Sequence, residues 1–67
     1  MTPADFRDRF GLTQFEAATL FGVTLRAWQH WESRARAMPG PALVLMRLLT
    51  ARPELVEVIR SAPRAET

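Results

Sequence analysis

Residues 11–32, GLTQFEAATLFGVTLRAWQHWE, decide the fold, because they contain the start and stop signals of two short helices in close succession. Thr13 and Glu16 have the spacing of a capping box, in which each side chain accepts a hydrogen bond from the backbone N–H of the other residue. Gly22 adopts a positive φ at little cost and so ends a helix, and Thr24 is the N-cap of the next one. The helices predicted by this stretch span about 14–20 and 25–33.

The rest of the chain predicts three more helices. Thr2, Pro3 and Asp5 are typical of a first helical turn, and the loop 39–41, which contains two prolines, precedes a long apolar segment. Pro53 separates that segment from a last short helix. The predicted ranges are 3–9 for the first helix, 42–51 for the fourth and 53–60 for the fifth.

No segment alternates apolar and polar residues as a strand does, so the sequence predicts an all-α fold. A chain of 67 residues forms one domain with a thin core, since it buries only about 60% of the surface that its unfolded form exposes. A helical hairpin would have the same turn residues as a helix-turn-helix, so the spacing alone does not decide between them. We expect a compact bundle of about five short helices over 1–62, with a helix-turn-helix over 14–33, C-terminal helices over 41–60 and a frayed tail over 63–67.

The composition argues against several classes of function. The chain has no cysteine and one histidine, which leaves few ligands for a metal site, and no metal or other cofactor is predicted. An enzyme is not expected, because His30 has no cysteine to activate and the sequence lacks a glycine-rich phosphate loop. No apolar run approaches the roughly 20 residues that cross a bilayer, and the N-terminus lacks the order of a signal peptide. We therefore expect a soluble, intracellular protein with no membrane partner.

Positive charge is concentrated in the middle of the chain. All the basic residues are arginines, and the net charge of the chain is +2. Residues 1–20 contain two arginines and three acids, whereas residues 21–47 contain four arginines and one acid, Glu32. The planar guanidinium of arginine suits phosphate groups and guanine edges. This distribution favours an anionic partner for the central helices.

The helix predicted over 25–33 has two different faces. At about 100° per residue, Trp28 and Trp31 lie about 60° apart on one side, and we expect both indoles to anchor the helix in the core. Arg26, Gln29 and His30 lie on the opposite side. Their side chains suit the donors and acceptors that base edges present in the major groove of DNA. The alternative is a solvated polar face, which the residues alone do not exclude.

The stretch 11–32 resembles the helix-turn-helix of the Cro/C1-type (Xre-family) transcriptional regulators, which have a lambda-repressor-like fold, and it covers about a third of the chain. The following RARAMPGPALVLMRLL is similar in composition to small antitoxin-type and anti-CRISPR-associated regulators. Trp28 departs from the family, which usually has Val or Ile at that position, and so does Ala27, where a hydroxyl is common. The matching residues are Thr13, Gln14, Glu16, Ala18, Gly22, Val23, Thr24, Trp31 and Glu32.

The resemblance implies a role for each residue around this motif. Arg7, with Arg9 as a substitute, would form a structural ion pair with Glu32. The residues at the start and on the outer side of the second motif helix would contact bases, and the surrounding polar residues would contact the DNA backbone. The implied base contacts are Leu25, Arg26, Gln29 and His30, and the implied backbone contacts are Thr13, Gln14, Thr24, Ser33, Arg34 and Arg36.

The resemblance also implies partners and a location. The expected function is sequence-specific binding to a palindromic, double-stranded operator by a homodimeric repressor that regulates its own promoter. The expected location is the cytoplasm, and the gene would be bacterial or phage-encoded. The alternative is an antitoxin or adaptor whose C-terminal helices bind a partner protein. Those helices have more apolar residues than one core-facing stripe needs, although all of them could also fill a monomeric core. The expected dimer interface consists of Val44, Met46, Leu48, Leu55, Val58 and Ile59.

Overall fold

Five α-helices follow one another in the computed structural model, which describes residues 1–62. No strand occurs within that range, so the prediction of an all-α fold with five short helices is confirmed. The tail predicted over 63–67 lies outside the described residues. The helices are α1 (Pro3–Phe10), α2 (Gln14–Phe21), α3 (Leu25–Glu32), α4 (Gly40–Ala51) and α5 (Glu54–Ser61).

Threonine caps begin the first three helices. The hydroxyl of Thr13 accepts the N–H of Glu16 at 3.0 Å, and the Glu16 carboxylate accepts the N–H of Thr13 at 2.9 Å, which completes the capping box. Thr2 and Asp5 form the same box at α1, and Thr24 caps α3 through the N–H of Ala27 at 3.1 Å. Each such cap stabilises its helix by about 1 kcal/mol. Because these contacts are local, the starts of the first three helices were predicted correctly from the sequence.

Glycine ends α1 and α2 in the left-handed conformation. Gly11 has φ 65° and Gly22 has φ 72°, and the N–H of each bonds back to carbonyl groups of the last turn. Since a side chain is disfavoured at such angles, glycine at both positions allows the chain to turn sharply. The short connection that contains Gly22 leads directly from α2 into α3.

An aromatic row joins the first three helices in the core. Phe6 of α1 lies 5.4 Å from Phe21 of α2, and Phe21 lies 5.0 Å from Trp28 of α3, measured between ring centroids. Trp28 in turn lies 5.5 Å from Trp31. The first two pairs are edge-to-face, and such pairs add about 0.5–1.5 kcal/mol each to the effect of burial. The buried core consists of Phe6, Leu12, Ala17, Ala18, Leu20, Trp28, Trp31, Met46, Leu49 and Val56.

The C-terminal helices complete this core and correct one prediction. Met46 is only 4% exposed and packs in the core, so its assignment to a dimer interface is wrong. Leu55 is half-buried against the same core. Helix α4 has apolar residues on nearly all sides, and only packing decides which of them face inward. The other candidate interface residues, Val44, Leu48, Val58 and Ile59, are exposed.

The small size of the elements limits the dimensions of the fold. The longest helix, α4, has 12 residues, and within residues 1–62 no helix has the length and apolar character needed to cross a bilayer. The radius of gyration is 11.4 Å, close to the roughly 11 Å of a compact chain of this length.

Candidate nucleic-acid interface

Helix α3 is fixed with one face in the core and the other facing outward. Trp28 is 0% exposed and Trp31 is 7% exposed, as expected of core anchors. On the opposite side Arg26 and Gln29 are exposed and His30 is half-buried. A helix held by two large rings has little freedom to rotate, so its outer side chains project from a rigid support.

The single acid of α3 is turned inward, where it binds three donors. The carboxylate of Glu32 accepts two hydrogen bonds from the guanidinium of Arg7, one of them at 3.1 Å. It also accepts the indole N–H of Trp28 at 2.6 Å and the side-chain amide of Gln14 at 2.9 Å. The side chains of Arg7 and Glu32 are only 24% and 12% exposed. The pair that the family resemblance implied is therefore present, as part of a larger network.

This network holds Glu32 in its ionised form. The hydrogen bond from Arg7 is the largest cause, and together with the bonds from Gln14 and Trp28 it lowers the pKa of Glu32 to about 2 against the opposing effect of burial. The same contact raises the pKa of Arg7. The negative charge of α3 is thus neutralised on the inner side of the helix.

The side chain of Gln14 lies between α2 and α3 instead of projecting freely into solvent. Its amide nitrogen donates to Glu32, and its carbonyl oxygen accepts the amide N–H of Gln29 at 3.2 Å. One N–H of Gln14 therefore remains for the phosphate contact that the resemblance implies. The pairing of these two glutamines joins a predicted backbone contact to a predicted base contact.

A groove runs along the outer side of α3, between this helix and the segment that follows it. Its volume is about 540 Å³, and Arg26, His30 and Arg36 are among its lining residues. The backbone N–H of Arg36 donates to the carbonyl of His30 at 3.2 Å, which holds the segment against the helix. The groove brings together two predicted base contacts, Arg26 and His30, and two predicted backbone contacts, Thr24 and Arg36. The covering segment also explains why His30 is only partly exposed.

Arg34 adopts an unusual backbone conformation at the end of α3. Its φ is 67°, and it is the one residue other than glycine with positive φ among those described. The left-handed region costs a residue with a side chain about 1 kcal/mol relative to glycine. Helices α1 and α2 end with glycine in this conformation, whereas the end of α3 has an arginine there. Residues with a strained backbone are concentrated at functional sites. The conformation and charge of Arg34 beside the polar face of α3 therefore indicate a functional position.

The remaining predicted contacts lie around this face. Three of them, Thr13, Thr24 and Ser33, already form hydrogen bonds through their hydroxyl groups. Thr13 and Thr24 accept the N-cap hydrogen bonds described above, which leaves each hydroxyl proton available to a phosphate. The hydroxyl of Ser33 lies 3.3 Å from the carbonyl of His30 and donates to it. Leu25, in the first turn of α3, is exposed. Their roles in DNA binding stay predictions.

Three hydrogen bonds between side chains of this site were not predicted from the sequence. The Trp28 to Glu32 hydrogen bond has a detectable signal, because residues four apart lie on the same side of a helix. The contacts of Gln14 with Glu32 and with Gln29 join two helices and depend on their relative rotation. The spacing of residues along one helix does not predict that rotation.

Comparisons with known proteins do not assign this site. The chain matches no protein-family model, and neither the curated proteins nor the solved structures include a significant match to it.

Proposed function

We propose that this protein binds double-stranded DNA sequence-specifically, with α2 and α3 forming a helix-turn-helix of lambda-repressor type and α3 entering the major groove. The main support is the one-sided charge of α3. Arg26 and Gln29 face outward, while Glu32 is turned inward and neutralised. The outer face thus offers hydrogen-bond donors to phosphates and base edges without a carboxylate that would repel the DNA.

The arginines around α3 strengthen this proposal. Within residues 1–62, Arg26, Arg34 and Arg36 take part in none of the ion pairs, which instead involve Arg7, Arg52 and Arg60. Unpaired arginines can displace counterions from the phosphate backbone, which supplies much of the affinity of DNA-binding proteins. An α-helix such as α3 is about 10–12 Å across with its side chains, which matches the roughly 12 Å width of the major groove.

We also propose that the protein acts as a homodimer on a palindromic operator and represses its own promoter. One copy of so small a domain covers a single half-site, and a two-fold dimer would engage two half-sites about 34 Å apart or a multiple of that distance. The support is the outward face of α4, where Val44 is 56% exposed and Leu48 is 48% exposed. These residues fit a self-complementary apolar contact.

The same apolar face favours a second candidate function. An antitoxin or adaptor would use Val44, Leu48 and the exposed Val58 of α5 to bind a partner protein instead of a second copy. The two functions differ in what the isolated chain does. A dimer in solution that binds duplex DNA supports the repressor, and a monomer that binds no duplex supports the adaptor.

Selection of bound duplexes from a random pool tests DNA binding directly. We expect a symmetric motif, and we expect Arg26→Ala to lose about 5- to 150-fold in affinity, with relaxed preference at one base position in each half-site. Arg36→Ala should weaken all sequences alike and reduce the slope of log affinity against log salt by about 1. Titrations at two or more salt concentrations measure both effects.

Arg52→Ala is the matched control for these variants. It removes the same charge at the junction of α4 and α5, where Arg52 pairs with Glu54 and both side chains are exposed. We expect specific affinity within about twofold of the wild type, because Arg52 does not line the groove beside α3 and its charge is already paired with Glu54. Full operator binding by Arg26→Ala would show that the proposed recognition face is incorrect.

Arg34→Gly is expected to change stability and DNA binding in opposite directions. Glycine removes the strain at φ 67°, so the free energy of unfolding should rise by about 0.5–1 kcal/mol. The loss of one positive charge beside α3 should weaken binding to all duplexes and reduce the salt dependence by about one phosphate contact. Urea denaturation and salt-dependent titrations measure the two effects.

Arg34→Asn serves as the control, because asparagine tolerates the left-handed conformation better than most residues and has no charge. It should bind DNA as weakly as Arg34→Gly with a smaller gain in stability. If Arg34→Gly bound DNA as tightly as the wild type, the strained arginine would have no role in backbone contact.

A further inference from the structure

The groove beside α3 has the mixed lining of a small-molecule site. The buried Trp31 and the half-buried Ala27 border it on the side of the core, and the exposed Ala37 and Pro39 border it on the side of the following segment. Within residues 1–62 no acidic side chain lines it. Its volume of about 540 Å³ lies within the roughly 300–1,000 Å³ of ligand pockets in proteins. A ligand of the size of one nucleotide therefore fits.

The cationic part of the lining suits a dianion. Arg26 and Arg36 contribute two guanidinium groups, and neither takes part in an ion pair in the part of the chain that the structure describes. His30 and Thr24 add an imidazole and a hydroxyl that can donate further hydrogen bonds. A phosphate monoester has a charge of about −1.5 to −2 at pH 7, which matches the two arginines. A carboxylate would neutralise only one of them.

The walls of the groove are already in place without a ligand. The positive φ of Arg34 turns the chain at the end of α3, and the N–H of Arg36 donates to the carbonyl of His30 at 3.2 Å. Met38 then packs against the core, which fixes the far end of the segment. Because both sides are ordered, a ligand that enters the groove costs little additional conformational entropy.

We propose that this groove binds a small phosphate monoester with a planar ring, such as a nucleoside monophosphate, and that this ligand competes with DNA. The phosphate pairs with Arg26 and Arg36, and the ring covers the apolar lining beside Trp31. Arg26, His30 and Arg36 are also proposed DNA contacts, so the groove cannot hold both partners at once. The ligand site stands on the groove alone, whereas the release of DNA rests on the proposed function.

Nuclear magnetic resonance of the protein without DNA tests the ligand site. The chain has two tryptophans, whose indole N–H groups give two signals in a ¹⁵N correlation spectrum. Trp31 lines the groove, whereas Trp28 is 0% exposed and donates its indole N–H to Glu32. Titration with adenosine 5′-monophosphate at constant ionic strength should move the Trp31 signal more than the Trp28 signal.

The fragments of the probe separate the two parts of the lining. We expect adenosine 5′-monophosphate to bind with a dissociation constant on the order of 1 mM or tighter. Adenosine and inorganic phosphate should each bind at least about tenfold more weakly, because each makes only part of the contacts. If inorganic phosphate moved the same signals at the same concentration, the groove would be a simple anion site and the proposed ligand class would be overturned.

Arg36→Gln tests the phosphate contact. It removes one positive charge from the groove and keeps the backbone N–H that bonds to His30. The affinity for adenosine 5′-monophosphate should fall by about tenfold or more, because a hydrogen bond to a charged group is lost. Arg52→Gln removes the same charge where Arg52 pairs with Glu54, outside the groove, and should bind the probe as the wild type does. Equal affinities of the two variants would overturn the contact.

Titration of the protein–operator complex with adenosine 5′-monophosphate tests the competition. The apparent affinity for the duplex should fall as the groove fills, since two exclusive partners share one site. If the probe fills the groove and the duplex stays bound, the competition is overturned. If the protein selects an operator and the probe leaves the Trp31 signal in place, the ligand site is overturned and DNA binding stands. If the probe binds and no duplex is selected, the site stands and the proposed function is overturned.

Discussion

Replacing Glu32 with glutamine will lower the free energy of unfolding at pH 7 by about 2–3 kcal/mol. The carboxylate accepts hydrogen bonds from Arg7, Gln14 and Trp28, and an amide has one oxygen in place of two to accept them. The guanidinium of Arg7 would then lie partly buried without its counter-charge. In a domain this small the loss is a large part of the total stability, and the melting temperature should fall by about 10 °C or more.

The pH dependence of stability provides a second test of the Glu32 carboxylate. The pKa of Glu32 is about 2 in the folded protein, well below the roughly 4.3 of an unfolded chain. Its contribution is therefore fully present above about pH 5 and is lost as the pH falls towards 2. The wild type should lose stability through this window, and Glu32→Gln should lose about 2–3 kcal/mol less. Urea denaturation followed by tryptophan fluorescence at several pH values measures the difference.

Glu57→Gln is a suitable control, because the side chain of Glu57 is 79% exposed and has one distant partner, Arg60 at 3.9 Å. Its stability at pH 7 should stay within about 0.5 kcal/mol of the wild type. A Glu32→Gln variant that weakened in acid as much as the wild type would show that the network does not stabilise the fold through this charge.

Leu48→Glu is expected to convert the proposed dimer to a monomer and to lower operator affinity roughly 100-fold or more, without unfolding the chain. Pro41, Val44, Leu48 and Ala51 follow one another at spacings of three, four and three residues on the exposed side of α4, which is the pattern of a helix-packing stripe. A carboxylate in the centre of such a contact would be buried without a partner. Light scattering with size exclusion measures the mass, and duplex titration measures the affinity.

Leu43→Glu is the matched control on the same helix. Leu43 is also an exposed leucine, at 43%, but it lies about 140° around α4 from Leu48, and an acid in the first turn of a helix is favourable. This variant should stay dimeric and bind DNA normally. A wild-type chain that is monomeric at tens of micromolar, or equal disruption by both variants, would contradict the α4 interface.

The ends of the first three helices were predictable because their signals act within four residues. Thr13 with Glu16 and the positive φ of Gly22 are local arrangements that depend on residues near in the sequence. The inward direction of Trp28 was also predictable, since α3 has large apolar groups on one side only. The Arg7 to Glu32 pair spans 25 residues and came from the family resemblance, not from any local rule.

The amino-acid sequence by itself determined five helices, their main boundaries and the two faces of α3, because those properties depend on near neighbours. The tertiary structure decided that Met46 is buried while Val44 and Leu48 are exposed, since α4 is apolar on nearly all sides and its periodicity permits more than one inward face. It also decided the contact between Gln14 and Gln29, which depends on how α2 and α3 are rotated against each other. The packing of the whole core sets that rotation. The residue pattern of one helix does not determine how its neighbour is rotated against it.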